Sequence, residues 1–180
     1  MKALASKVAQ WCGGRLVGED VVLTAVGQDS RTLQPGALYV ALKGEHSDGH
    51  DHVAKVVGRA GAVLVARELP LAIPQIVVRD TLAALQTLAR AWLEMLDVRR
   101  VALTGSNGKT TTKALTAAIL AQVGPTWATP GNYNNEIGVP LTVLGLRSVH
   151  QYAVIEMGAG KPGDIDELTR IAPPHAGAIT

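Results

Sequence analysis

The sequence predicts an α/β protein in two parts, a small N-terminal α/β domain over residues 1–79 and the first part of a parallel-sheet domain over residues 80–180. Three observations carry this prediction. From residue 80 onward, apolar runs of strand length alternate with segments of helical periodicity, the pattern of a parallel sheet with helices on its faces. A β-run at Val101 to Thr104 passes through a loop with two glycines directly into a helical segment. Pro74 and Asp80 mark an exit from the first set of strands, and Asp is a favoured residue for opening a helix.

Element by element, Leu4, Val8 and Trp11 recur at helical spacing and are stopped by Gly13 and Gly14, which predicts a short N-terminal helix. Val21 to Thr24 reads as a strand, Gln34-Pro35-Gly36 as a turn, and Ala37 to Leu42 as a second strand entering a polar loop from Gly44 to His52. A helix over Val53 to Arg59 should lead to the strand Ala62 to Val65, and Pro74 precedes the strand Ile76 to Val78. Asp80 is then the N-cap of a long helix whose apolar side holds Leu82, Leu85, Leu88, Ala89, Trp92, Leu93 and Leu96. Beyond it come the strand Val101 to Thr104, the helix Lys109 to Gln122, a long loop, the strand Ala153 to Glu156, and a helix over Asp164 to Ile171. Ala176 to Thr180 reads as a further strand just beginning, so the second domain is expected to be incomplete.

Composition narrows the function classes. Apolar residues at 47% and charged residues at 18% describe a soluble globular chain. The aliphatic run Ala62 to Ala66 is far short of the ~20 residues that span a bilayer. Met1 to Trp11 lacks the apolar core of a signal peptide, so a cytoplasmic protein without membrane insertion is expected. A net charge of +2 spread along the chain, 3% aromatic residues and no Phe argue against nucleic-acid binding. Cys12 has no second Cys to pair with, and its place beside Val8 and Trp11 predicts a packing role. His46, His50 and His52 match no zinc spacing and are expected to be loop residues.

The segment Val101-Ala102-Leu103-Thr104-Gly105-Ser106-Asn107-Gly108-Lys109-Thr110-Thr111-Thr112 carries the chemistry. It reads as a P-loop. Gly105 and Gly108 let the backbone turn tightly, and the N–H groups of Gly105, Ser106, Asn107, Gly108, Lys109, Thr110 and Thr111 can then face phosphate oxygens at the positive end of a helix dipole. Lys109 would sit on the β- and γ-phosphates of ATP, and the Thr110 hydroxyl would coordinate Mg²⁺. Glu156 closes a strand of the same sheet, and a carboxylate at the C-terminal end of a parallel strand points toward the crevice where such sheets bind ligands. The usual glycine five residues before Gly108 is absent, and Leu103 stands there.

That shortened form, Thr104-Gly105-Ser106-Asn107-Gly108-Lys109-Thr110, resembles the P-loop of the Mur ligases and of the related folylpolyglutamate synthetases. Gly131-Asn132-Tyr133-Asn134-Asn135-Glu136-Ile137-Gly138-Val139-Pro140 is similar to the Gly-Asn-x-Asn-Asn-x-Ile-Gly-Val-Pro loop of the Mur ligases that add D-alanyl-D-alanine. Ala153-Val154-Ile155-Glu156-Met157-Gly158-Ala159 is similar to the family strand that ends in a Mg²⁺-binding acid. Asp29-Ser30-Arg31, Leu38 to Gly44 and Asp48-Gly49-His50 resemble the family's N-terminal domain.

The resemblance implies an ATP- and Mg²⁺-dependent ligase, monomeric at full length, that joins D-alanyl-D-alanine to UDP-N-acetylmuramoyl-tripeptide. It implies Lys109 and Glu156 as catalytic groups, Thr110 and Glu156 as metal ligands, and Ser30, Arg31, Lys43, Asn134 and Asn135 as substrate-binding residues. Ser47 and Val53 depart from the family, which often carries Phe there. The family's second metal-ligating His, its carbamylated lysine and its dipeptide-binding domain have no counterpart in these residues. Another Mur ligase, a folylpolyglutamate synthetase, and a non-catalytic module that binds a UDP-sugar or nucleotide stay open as alternatives. The Asn134 to Gly138 string argues against the first two.

Overall fold

The computed structural model describes residues 1–44 and 47–180, which form two compact units, Met1–Leu88 and Ala89–Thr180. The first unit begins with β1 (Ala3–Leu4), which pairs antiparallel with β3 (Val22–Leu23). Between them lie α1 (Ala5–Trp11) and β2 (Arg15–Val17). Only Ala5, Val8 and Ala9 of α1 are buried, against β2 and β7 (Gln75–Val77). Leu4, expected on the helix's apolar side, precedes the helix and is 46% exposed. Three buried small residues suffice because Gly14 lets the chain pass close to the sheet: a Cβ there would meet Ile76 and Val78 at 2.9 and 2.8 Å.

The main sheet of this unit has the order β2-β7-β6-β5-β4, with β4 (Val26–Gly27), β5 (Leu38–Val40), β6 (Ala62–Val65) and β7 parallel to one another and β2 antiparallel to β7. Both faces are covered, as parallel sheets require. Tyr39, Val63 and Val65 share one cluster with Val53 and Val56, while the alternate residues Leu38, Val40 and Leu64 are also fully buried. Val53 and Val56 come from a 3₁₀ helix, Gly49–Val56, rather than from the helix expected over 53–59. Its start is set by Asp48, whose side chain accepts from His50 N.

Asp80 caps α2 (Thr81–Glu94) as its sequence position predicts, accepting from Leu82 N at 2.8 Å and Ala83 N at 3.0 Å. The expected domain division after Arg79 lies just before this helix, and the two compact units part within it.

The second unit is a four-stranded parallel sheet of order β11-β8-β10-β9, made of β8 (Arg99–Thr104), β9 (Thr126–Ala128), β10 (Tyr152–Glu156) and β11 (Ala176–Ile179). The helices α3 (Lys109–Ala121), α4 (Gly138–Leu144) and α5 (Asp164–Ile171) connect them. β9 and α4 fall in the stretch read from sequence as one long loop. α4 holds together because six of its seven residues are buried and because the Asn135 Oδ1 accepts from Gly138 N at 2.9 Å. Pro140 lies in its first turn, where a missing N–H breaks no helical bond.

Candidate functional site

In the second unit, parallel pairing puts Glu156 opposite Leu103, so the end of β10 and the loop leaving β8 meet at the C-terminal edge of the sheet, the edge where open α/β sheets bind ligands. Gly105 and Gly108 adopt positive φ, +138° and +78°, and Gly108 is the N-cap of α3. Lys109 folds back over the loop, its ammonium donating to Gly105 O at 2.7 Å. Ser106, Asn107, Gly108, Thr110 and Thr111 are exposed, as a phosphate-binding loop needs. The Ser106 N–H, read from sequence as facing a phosphate, donates here to Thr180 O at 3.2 Å.

Glu156 is 2% exposed, yet its carboxylate is surrounded by donors. Thr110 Oγ1 donates to Oε2 at 3.1 Å and Asn134 Nδ2 to Oε1 at 2.9 Å. Lys113 Nζ stands 3.1 Å from Oε2 and also donates to Gly131 O at 2.8 Å. The Glu156 N–H donates to Thr129 Oγ1 at 2.9 Å. Burial is the largest single influence on the Glu156 carboxyl and pushes its pKa up, but the bonds from Asn134, Lys113 and Thr110 and the Lys113 charge together outweigh it and hold the pKa below the usual range. The carboxylate is therefore ionised at neutral pH.

The donor set suits a hard cation. Glu156 and Thr110 offer two oxygens from different elements at one point, and Mg²⁺ characteristically takes one or two protein oxygens and completes its shell with water and phosphate. No cluster of three or more His, Cys, Asp or Glu able to hold a metal occurs among the described residues.

Of the Asn-rich loop, Asn134 is bound both to the end of β10, through its side chain to Glu156, and to the segment just after it, through its carbonyl oxygen, which accepts from Gly158 N at 2.7 Å. Asn135 serves as the cap of α4. Sequence reasoning did not single out Lys113 or Thr129. Lys113 had a signal: it is three residues after Thr110 and so shares its side of the helix, and it is the one buried residue of α3.

In the first unit, Ser30, Arg31 and Lys43 follow β4 and β5, so the parallel strands bring them to one edge of that sheet. Arg31 makes a forked pair with Asp29, at 2.9 Å through Nε and 2.7 Å through Nη2, which holds the Asp29 carboxyl down to about 2. Ser30 O accepts from Arg59. Lys43 is exposed and bridges Asp48 through the backbone. His50, expected to be a solvated loop residue, is 8% exposed. Its Nε2 accepts from Ala66 N at 2.8 Å, so the ring proton of the neutral form sits on Nδ1 and is donated to Asp48 Oδ1, 2.6 Å away. His52 lies near Ser47 and Lys55, and His46 lies outside the described residues.

Comparison with known proteins places both units. Residues 103–180 match the Mur ligase middle domain, and residues 22–78 match the Mur ligase family catalytic domain. The UDP-N-acetylmuramoyl-tripeptide–D-alanyl-D-alanine ligase of Escherichia coli is 47% identical, over 97% of this chain and 39% of its own length. A solved structure of the UDP-N-acetylmuramoylalanyl-D-glutamyl-2,6-diaminopimelate–D-alanyl-D-alanyl ligase of Acinetobacter baumannii superposes with a TM-score of 0.93 at 38% identity, over 99% of this chain and 41% of that one. The MurF ligase of Thermotoga maritima in complex with ADP superposes with a TM-score of 0.74 at 35% identity, over 83% of this chain and 35% of that one. The chain spans about two fifths of the length of the curated relatives it matches. With the P-loop, the Asn-rich loop and the acid-ended strand in one sheet, and both domain matches falling on the two compact units, the chain belongs to the Mur ligase family.

Proposed function

We propose that these residues are the front part of an ATP-dependent ligase that adds D-alanyl-D-alanine to UDP-N-acetylmuramoyl-tripeptide in the cytoplasm, for peptidoglycan synthesis. In this reading residues 1–79 hold the UDP end of the substrate through Ser30, Arg31 and Lys43, and residues 80–180 hold ATP. The full-length protein acts as a monomer.

The observation that carries the reading is the meeting of Thr110 from the P-loop helix, Asn134 from the Asn-rich loop and the ionised Glu156 of β10 within one hydrogen-bonded group. The terminal carboxylate of the tripeptide attacks the γ-phosphorus of ATP, ADP departs, and an acyl phosphate forms. The amine of D-alanyl-D-alanine then displaces phosphate and loses a proton as the amide bond is made. Lys109 opposes charge developing on the transferred phosphoryl group, the main demand of such chemistry. Thr110 and Glu156 would hold Mg²⁺, which would supply further neutralisation of charge on the phosphates. Asn134 and Asn135 hold the substrate-side loop in register with β10.

The supporting experiment is release of phosphate from ATP by the full-length protein carrying these residues. Release is expected only when UDP-N-acetylmuramoyl-tripeptide and D-alanyl-D-alanine are both present. Equal turnover with another amino acid or dipeptide, or release without either substrate, overturns the assignment.

A further inference from the structure

We propose that Lys113 is a charge-matching residue that makes divalent-cation binding at Glu156 conditional on bound nucleotide. The inference rests on the reading of Glu156 as a metal ligand and extends it to the order in which the site fills.

The Glu156 and Lys113 side chains are 2% and 8% exposed and 3.1 Å apart. A carboxylate this deeply buried, if alone, would draw any cation within reach, because in such surroundings a charge without a partner is costly. Here the chain brings its own cation. The ammonium and the Thr110 hydroxyl share Oε2, the same carboxylate oxygen, so a divalent ion approaching Thr110 and Glu156 meets a pair with no net charge. Nor can the ammonium swing aside freely, since its bond to Gly131 O at 2.8 Å fixes it from the other side. No cluster of three or more carboxylates, imidazoles and thiols supplies extra negative charge among the described residues. The missing negative charge has to come with the nucleotide phosphates, so cation and nucleotide enter together. Lys113 touches neither of them in this scheme and acts through Glu156.

Mn²⁺ binding to the full-length protein, followed by electron paramagnetic resonance with and without ADP, tests this. Wild type should bind Mn²⁺ tightly only with ADP. Lys113→Gln can still donate to Gly131 and Glu156 but carries no charge, and it should tighten nucleotide-free Mn²⁺ binding by about tenfold or more, as removal of a like charge at contact range implies. Lys113→Met should do the same, and Lys113→Arg should behave as wild type. A purely structural role for Lys113 predicts a different pattern, in which Gln and Arg both restore wild-type behaviour. Unchanged nucleotide-free binding in Lys113→Gln, or tight nucleotide-free binding in wild type, overturns the proposal. Glu156→Gln separates the two layers: if it leaves Mn²⁺·ADP binding unchanged, the ligand reading itself fails, whereas weakened binding there with no effect of Lys113→Gln sinks only the role of Lys113.

Discussion

Lys109 and Cys12 show how far a single side chain's surroundings fix its behaviour. The Lys109 ammonium donates to the loop carbonyl of Gly105 and is no part of the apolar core, so Lys109→Ala should leave the fold intact while removing a pre-placed charge. The expected loss is about 3 kcal/mol of transition-state stabilisation, on the order of a hundredfold in turnover. Steady-state phosphate release by the full-length protein beside its thermal unfolding checks this, and near-normal turnover would remove Lys109 from the phosphates. Cys12 lies at the other extreme. Burial pushes its thiol up to about 11, although backbone N–H groups pull the other way. At pH 8 its thiolate fraction should be on the order of a hundredfold below that of a free cysteine, and alkylation by iodoacetamide correspondingly slow. Because the folded pKa is raised, the neutral thiol favours the fold below the unfolded value near 8.5, and that contribution disappears as pH rises through about 11. Rapid labelling of the native chain at pH 8 would contradict the packing role.

At the level of elements, tight backbone approaches carry as much information as side chains. A Cβ at Gly138 would collide with the Tyr133 backbone, meeting its carbonyl oxygen at 2.8 Å, so Gly138→Ala forces the Asn-rich loop away from α4. A cost of roughly 1 to 3 kcal/mol is expected from such overpacking. Urea denaturation should show a lower midpoint with unchanged slope, and a midpoint equal to wild type would mean the loop yields without strain. Elements with a long period or clear punctuation were legible in the sequence: β6 and α5 lie where the pattern puts them, and α3 differs from its expected end by one residue. β9 was not legible, since three residues after Pro125 show no alternation, nor was α4, whose seven residues include a Gly and a Pro and which depends on burial and the Asn135 cap. The 3₁₀ helix starts earlier than the helix expected over Val53 to Arg59 because Asp48, within the polar loop expected over Gly44 to His52, caps it. In the candidate site the loop glycines, Lys109 and Thr110 stood out by spacing and Glu156 by its place at a strand end, whereas Lys113 carried only its three-residue offset from Thr110 as a signal. Only the tertiary approach of β10 turns its side of the helix inward.

Across the whole molecule, each unit has its own sheet and its own buried residues. Leu64→Ala removes a fully buried side chain from the centre of the first sheet and should cost about 2 to 5 kcal/mol. In amide hydrogen exchange the loss of protection should concentrate in β5, β6 and β7, with β8 and β10 much less affected; an equal loss in both sheets would show that the units unfold as one. The donors gathered on Glu156 have a bearing on how the second unit comes together. They join positions 46 and 22 residues apart in the chain, and Lys113 reaches a carbonyl 18 residues away. A nascent chain lengthens by roughly 5 to 20 residues per second, whereas a helix winds within about a microsecond. During synthesis the P-loop helix can therefore form well before β10 has emerged, and it must wait with Lys113 still in water. The P-loop helix is early, local architecture, but the carboxylate it packs against emerges later, so the joining of Thr110 and Lys113 to Glu156 is a late step that follows the helix rather than accompanying it.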